Sequence, residues 1–324
     1  MKRAIVTGAA GFLGRYVARH LRMHGWSVAG IGHGKLDNNE ARRWGIDRWY
    51  QADVTIESLT ALIREEGQPS LVFHAAGGAS VKISWERPFE DFERTVTTMA
   101  AVVEVLRNHA NDAVLIYPSS AAVYGNGWSA PIPESACPSP MSPYGVHKHL
   151  VDHICLAANR HYGVRFGIIR FFSLYGPELR KQLLWDITRQ AVNKPQMIVL
   201  AGDGKETRDF LYVQDAARLV AAVAEAVRDE VLIVNGGSGL AVTVRETAEA
   251  LLQACDLNIP VTFSGAPRAG DPQHLVADTS FASRLGFAPQ WQLGDGLQSY
   301  AQWALQNIYS ECKPAEWSIY GMRG

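Results

Sequence analysis

Three side chains in the middle of the chain could together move a proton on and off an alcohol: Ser120, Tyr144 and Lys148. A phenol is a poor base near neutral pH, with an ordinary pKa of about 10. A neighbouring ammonium favours phenolate and lowers that value, as would the positive ring of an oxidised nicotinamide. Tyr144 and Lys148 stand four apart in Tyr144-Gly145-Val146-His147-Lys148, so on a helix both side chains leave one face. Pro143 suits the first turn of that helix. Ser120 closes an apolar run expected to be a strand, and its hydroxyl could share the proton. The trio suits removal of an alcohol proton while hydride leaves the same carbon, the redox chemistry belonging to a cofactor. A lone Tyr-x-x-x-Lys means nothing, since many helices hold one as an exposed pair. Its meaning comes from what precedes it.

What precedes it is Ile5-Val6-Thr7-Gly8-Ala9-Ala10-Gly11-Phe12-Leu13-Gly14, an apolar run feeding three glycines spaced three apart, then a helical stretch from Arg15 to Met23. This predicts strand, tight turn, helix. Gly8 can take a positive φ, Gly11 leaves room between backbone and ligand, and Gly14 lets helix and strand pack closely. The helix N-terminus offers free N–H groups to a pyrophosphate. The spacing is G-x-x-G-x-x-G, and no Lys-Ser/Thr follows the last glycine as a P-loop requires. A dinucleotide is therefore favoured over ATP or GTP, against the alternative of an ordinary glycine-rich turn. Gly8, Gly11, Phe12, Leu13 and Gly14 are the expected contacts.

Further strands are expected at Trp26–Ile31, Tyr50–Val54, Leu71–Gly77, Ala113–Tyr117, Val164–Phe172 and Val231–Asn235, and a short one at Thr207–Val213, with helical periodicity between them, notably Phe89–Asn108. Alternation of this kind predicts an α/β, doubly wound parallel sheet whose ligands lie at the carboxyl ends of the strands. At those ends stand Asp53-Val54, Ala75-Ala76-Gly77 and Ser119-Ser120. The tip after the second strand, Gly32-His33-Gly34-Lys35, has no acid for the adenosine ribose. His33 and Lys35 could meet a 2′-phosphate there, or be a solvated turn. The cofactor is thus NAD or NADP. Past residue 172 the rhythm breaks, which predicts a smaller, mostly helical cap built from 173–210 and 241–324 over a cofactor domain of 1–172 and 211–240.

Composition narrows the partners. Thirty-one Lys and Arg nearly balance 32 Asp and Glu, which points to neither a nucleic-acid nor a membrane partner. Four cysteines without C-x-x-C spacing argue against a metal site or redox dithiol. The first apolar run breaks before a signal-peptide core could form, and Leu219–Val227 is too short to span a bilayer. The expected location is the cytoplasm.

As a set, these segments resemble the extended short-chain dehydrogenase/reductases, the family of nucleotide-sugar epimerases and dehydratases, from Thr7 to Asp271. The resemblance implies a Rossmann-type fold, catalysis by Ser120, Tyr144 and Lys148, and an adenine contact at Asp53-Val54. It implies a nucleotide-diphosphate sugar substrate met by Ser119, Ser120, Ser173, Arg208 and Arg268, and a homodimer. Two arginines can fork onto diphosphate oxygens. The plainer reading pairs Arg208 with Asp209 or Glu206 and leaves Arg268 in a solvated turn.

Three positions depart from the family pattern: Ser173 and Thr95 stand where asparagine is usual, and Gly32 replaces the ribose-binding acid. Ala121 and Ala122 occupy places where the dehydratases carry an acid, so a reaction confined to hydride transfer is expected. The first choice is epimerisation at C4 through a 4-keto intermediate. The alternatives are an NADPH-dependent reductase of a 4-keto-6-deoxy sugar and a cofactor-sensing protein without chemistry.

Overall fold

The computed structural model describes residues 2–193, 195–266 and 272–311 of the 324-residue chain. Its centre is a seven-stranded parallel sheet made of Arg3–Thr7 (β1), Ser27–Gly32 (β2), Arg48–Gln51 (β3), Leu71–His74 (β4), Val114–Ser120 (β5), Arg165–Phe171 (β6) and Leu232–Gly236. The spatial order is Leu232–Gly236, β6, β5, β4, β1, β2, β3. Both faces are covered, which is why the strands read as continuous apolar runs. Ile5, Val72 and Leu115 point to one face and pack against Leu62, Met99, Val103 and Val151. Their neighbours Val6, Phe73 and Ile116 point to the other, against Val17, Leu21, Val220 and Val223. This is a Rossmann-type α/β fold. Because the strand order reverses between β1 and β4, a crevice opens outside their carboxyl ends.

Three local features set up that crevice. The helix Phe12–Met23 leaves β1 through the glycine turn. The helix Pro143–Tyr162 starts at Ser142, whose hydroxyl accepts the Gly145 N–H, has Pro143 at its first position, and ends at left-handed Gly163. A third helix runs from Pro88 to His109, as its periodicity predicts, but Glu93–Thr97 forms a π-helical turn. Asp91 just before that turn and Thr95 within it are both buried.

Two expectations are corrected. The third strand ends at Gln51, so Asp53 lies beyond it in the connection to the next helix. The predicted strand Thr207–Val213 is two short strands, Thr207–Arg208 and Phe210–Tyr212, in different small sheets. Buried Asp209 divides them, its carboxylate accepting the N–H groups of Ser238, Gly239 and Ala277.

Above the carboxyl edge, the helices Gln182–Val192, Val244–Ala254 and Leu293–Glu311 enclose their own core around Leu184, Leu251, Tyr300 and Ala304. Arg15 pairs with Glu178 at 2.8 Å and the Tyr16 hydroxyl donates to Pro177 O, tying this layer to the glycine-turn helix. Among the described residues no helix is long and apolar enough to cross a membrane.

Candidate active site

The glycine turn is built for close approach. Gly8 adopts φ 66°, and a Cβ there would lie 2.8 Å from the Ala76 nitrogen. Gly8 donates to Ile31 O and Gly11 donates to Gly8 O, which fixes the turn. Gly11 caps the helix Phe12–Met23 with no side-chain hydrogen bond, and no acid occupies the first turn. Its leading N–H groups are thus left for an external anion. On this observation the residues fit a dinucleotide pyrophosphate.

The rest of the cradle is small or exposed. Ala75 and Ala76 are half-buried and Gly77 exposed at the end of β4. Beneath them Thr7 Oγ1 accepts the Ala76 N–H and lies 2.8 Å from His74 Nδ1. Burial pushes the His74 pKa down to about 3, so the imidazole is neutral. With the Thr7 hydroxyl donating to Nδ1, the ring proton sits on Nε2, facing Thr98 Oγ1 at 3.5 Å. Phe12 and Leu13 are half-buried, Val54 is buried, and Asp53, His33 and Lys35 are exposed.

Ser120, Tyr144 and Lys148 come together at the end of β5. The Tyr144 phenol stands close enough to the Ser120 hydroxyl for it to favour the phenolate, and Ser120 Oγ accepts the Ala122 N–H. The backbone N–H of Tyr144 is held by buried Ser84 Oγ at 3.0 Å. Lys148 is 6 % exposed, donates to Pro118 O at 3.0 Å, and stands 4.7 Å from the Tyr117 ring centroid and 5.7 Å from that of Tyr144.

The electrostatics differ from the sequence expectation of a lowered phenol. Burial pushes Tyr144 up to about 12; the Ser120 hydrogen bond works downward and the charge of Asp91 upward. Burial also pushes Lys148 down to about 8, opposed by Asp152 and Asp91 and assisted by repulsion from Lys181. Burial dominates, so in this state Tyr144 is a phenol.

Side chains absent from the sequence reading hold this trio in place. His147 Nδ1 meets Asp91 Oδ2 at 2.6 Å, with Asp91 3 % and His147 8 % exposed, pinning the catalytic helix to Pro88–His109. Ser119 turns inward and donates to Asp152 rather than opening onto the crevice. Asp152 accepts from Arg170, whose guanidinium also reaches the Tyr124 hydroxyl, and Tyr124 donates to Asn235 Oδ1. Arg170 is thereby committed inside the fold. The sequence signal for these groups was a polar residue inside an apolar stripe, as Asp91 and Asp152 are.

On the cap side, Ser173 begins the short strand Ser173–Tyr175 and is half-buried. Arg208 Nη1 donates to the carbonyls of Thr207 and Pro272 at 2.9 and 2.8 Å. The carboxylate of Asp209 holds backbone and that of Glu206 accepts from Asp203 and Gly204. Arg268 lies outside the described residues. Thr95 Oγ1 accepts the Gly78 N–H, fastening the loop after β4.

The chain matches the NAD dependent epimerase/dehydratase family over residues 4–235. It is 30 % identical over 302 residues to a UDP-glucose 4-epimerase of Streptomyces lividans, covering 88 % of this chain and 91 % of that one. It is 27 % identical to the UDP-glucose 4-epimerase of Lactobacillus helveticus, over 91 % and 94 % of the two chains. The UDP-glucuronic acid 4-epimerase of Bacillus cereus, solved with UDP-glucuronic acid and NAD, superimposes with a TM-score of 0.85 at 25 % identity, covering 94 % of this chain and 99 % of that one. With its glycine cradle, its serine at the end of β5 and its Tyr-x-x-x-Lys helix brought to one crevice, the chain belongs to the NAD-dependent epimerase/dehydratase family.

Proposed function

We propose that this protein inverts C4 of the hexose in a UDP-linked sugar, using NAD that stays bound through the cycle. The observation that carries the reading is the meeting of Ser120, Tyr144 and Lys148 beside the glycine cradle, with Ala121 and Ala122 following the serine. No carboxyl group stands there to help expel a C6 hydroxyl, which separates the reading from dehydration.

The glycine turn and the start of the helix Phe12–Met23 would hold the NAD, which would supply reversible hydride acceptance at C4. The chain's residues do the proton work. Tyr144 Oη takes the proton of the C4 hydroxyl, and Ser120 Oγ holds the same oxygen and relays its hydrogen bond to Tyr144. Lys148 stabilises the phenolate by its charge. The phenol must fall from about 12 to act as a base, a change that the positive charge of an oxidised nicotinamide would favour.

Gly8, Gly11, Phe12, Leu13, Gly14, Asp53, Val54 and Ala75–Gly77 form the cofactor side of this proposal. Ser173, Arg208 and Arg268 form the substrate side, within the division into 1–172 with 211–240 and 173–210 with 241–324. A homodimer is part of it, supported by the exposed apolar residues Val146, Leu150 and Leu156 on the catalytic helix beside Phe89 and Phe92. We place the protein in the cytoplasm. A second reading, an NADPH-dependent 4-keto sugar reductase, is favoured by exposed His33 and Lys35 at a tip without an acid.

The test is to release and identify the cofactor of the purified protein, then assay C4 inversion of UDP-sugars with no added cofactor. Near-stoichiometric NAD and turnover by wild type are expected. Tyr144→Phe should keep the NAD and lose about 10²-fold or more in kcat. An empty protein that prefers NADPH and yields no C4 epimer turns the assignment to the reductase.

A further inference from the structure

Among the described residues the ammonium of Lys181 bears on the crevice with no carboxylate beside it. Lys181 immediately precedes the helix Gln182–Val192, is half-buried, and reaches from the cap to donate its Nζ proton to Ala79 O at 2.9 Å in the loop after β4. Among the described residues no carboxylate stands within ion-pair distance of it. A half-buried cation without a counter-charge is unfavourable on its own, and burial accordingly lowers its proton affinity. Lys181 also lies close enough to Lys148 for the two charges to repel. Two cations therefore bear on the catalytic corner from opposite layers.

The local chain sends this side chain away from its neighbours. Glu178, the nearest acid in sequence, pairs with Arg15 and accepts from Trp303 Nε1. Arg180 turns the other way, onto Asn307 and across the rings of Trp185 and Trp303. Glu178 and Gln182 both adopt left-handed φ, 76° and 67°, a conformation that non-glycine residues rarely take. The two turns bracket Lys181 and aim it across the crevice, and strained backbone of this kind gathers at ligand sites.

We infer that Lys181 selects a nucleotide sugar whose hexose bears a carboxylate, the ammonium pairing with that carboxylate when C4 stands at Tyr144 and Ser120. The inference rests on the epimerase reading and narrows its substrate to the uronic acid class. A charge-assisted hydrogen bond to a group that UDP-glucose lacks is worth about tenfold or more in affinity.

The test is calorimetric titration of the full-length, NAD-loaded protein with UDP-glucuronate, UDP-glucose and UDP. Wild type should bind UDP-glucuronate about tenfold more tightly than UDP-glucose. Lys181→Gln should bring that ratio near one, and Lys181→Arg should keep most of it. A wild-type ratio of one or less overturns the inference before any variant is made. So does a Lys181→Gln protein that keeps the ratio, or one that loses as much affinity for UDP alone, which would give the ammonium to the diphosphate. Turnover is read separately: no C4 epimer from either sugar sinks the epimerase reading, while the binding ratio still reports on Lys181.

Discussion

The two walls of the crevice are made of different materials. On the β1 side the working surface is backbone: Gly8 and Gly11 shape the turn, and the uncapped start of Phe12–Met23 presents N–H groups that no side chain competes for. On the cap side the proposed working surface is long cationic side chains, Lys181 and Arg208, carried on short segments and held by carbonyl oxygens. A backbone wall recognises what all dinucleotides share. A wall of flexible cations can be retuned by one substitution without disturbing the sheet. Changes on the first side should therefore cost folding and cofactor together, and changes on the second should alter selectivity.

The largest expected effect is on the backbone wall. A Cβ at Gly14 would strike the Gly8 carbonyl, with no flexible side chain there to yield. Gly14→Ala should cost about 2–3 kcal/mol of stability and weaken NAD binding in the same experiment, read by thermal melts with and without NAD. A variant that binds NAD as wild type does would show that close packing is not what the turn requires.

Asp91→Asn should act more gently, lowering kcat about tenfold by loosening His147 and with it the helix that carries Tyr144. Its sharper signature is in pH. Asp91 raises the proton affinity of Lys148, whose pKa is about 8, so removing the charge lowers that value further. The alkaline fall in kcat/KM should then begin at lower pH than in wild type. An unmoved limb with reduced kcat would leave Asp91 a packing residue only.

The smallest effect is at the seam. Arg15 and Glu178 are partly exposed, so Glu178→Gln should cost about 0.5–1 kcal/mol, visible in denaturant titration. A change in KM for the sugar with little change for NAD would place that cost in the cap, as the contrast between the walls requires.

What could be read from the sequence followed the same division. The glycine turn and Tyr144 with Lys148 depend on spacing along one strand or helix, so residue order reveals them. Asp91 and His147 are 56 positions apart, Ser119 and Asp152 are 33 apart, and Lys181 and Ala79 are 102 apart. These partners meet only because crossover helices fold back over the sheet, and no local pattern announces them. The phenol failed for a related reason. Lys148 beside Tyr144 argued for a lowered pKa, but burial is a property of the whole fold and raised it. Arg170 is equally silent in the sequence, its partners Asp152 and Tyr124 standing 18 and 46 positions away.

The π-helical turn at Glu93–Thr97 gives the Pro88–His109 helix an unusual vulnerability to insertion and deletion. One residue of an α-helix is a rotation of about 100°. Deleting a single codon within the turn would restore regular winding and swing Asp91 off His147, while Met99 and Leu106 kept their places in the core. Substitution tunes such a site by degrees, whereas here one lost triplet would move a buried charge out of it in a single event.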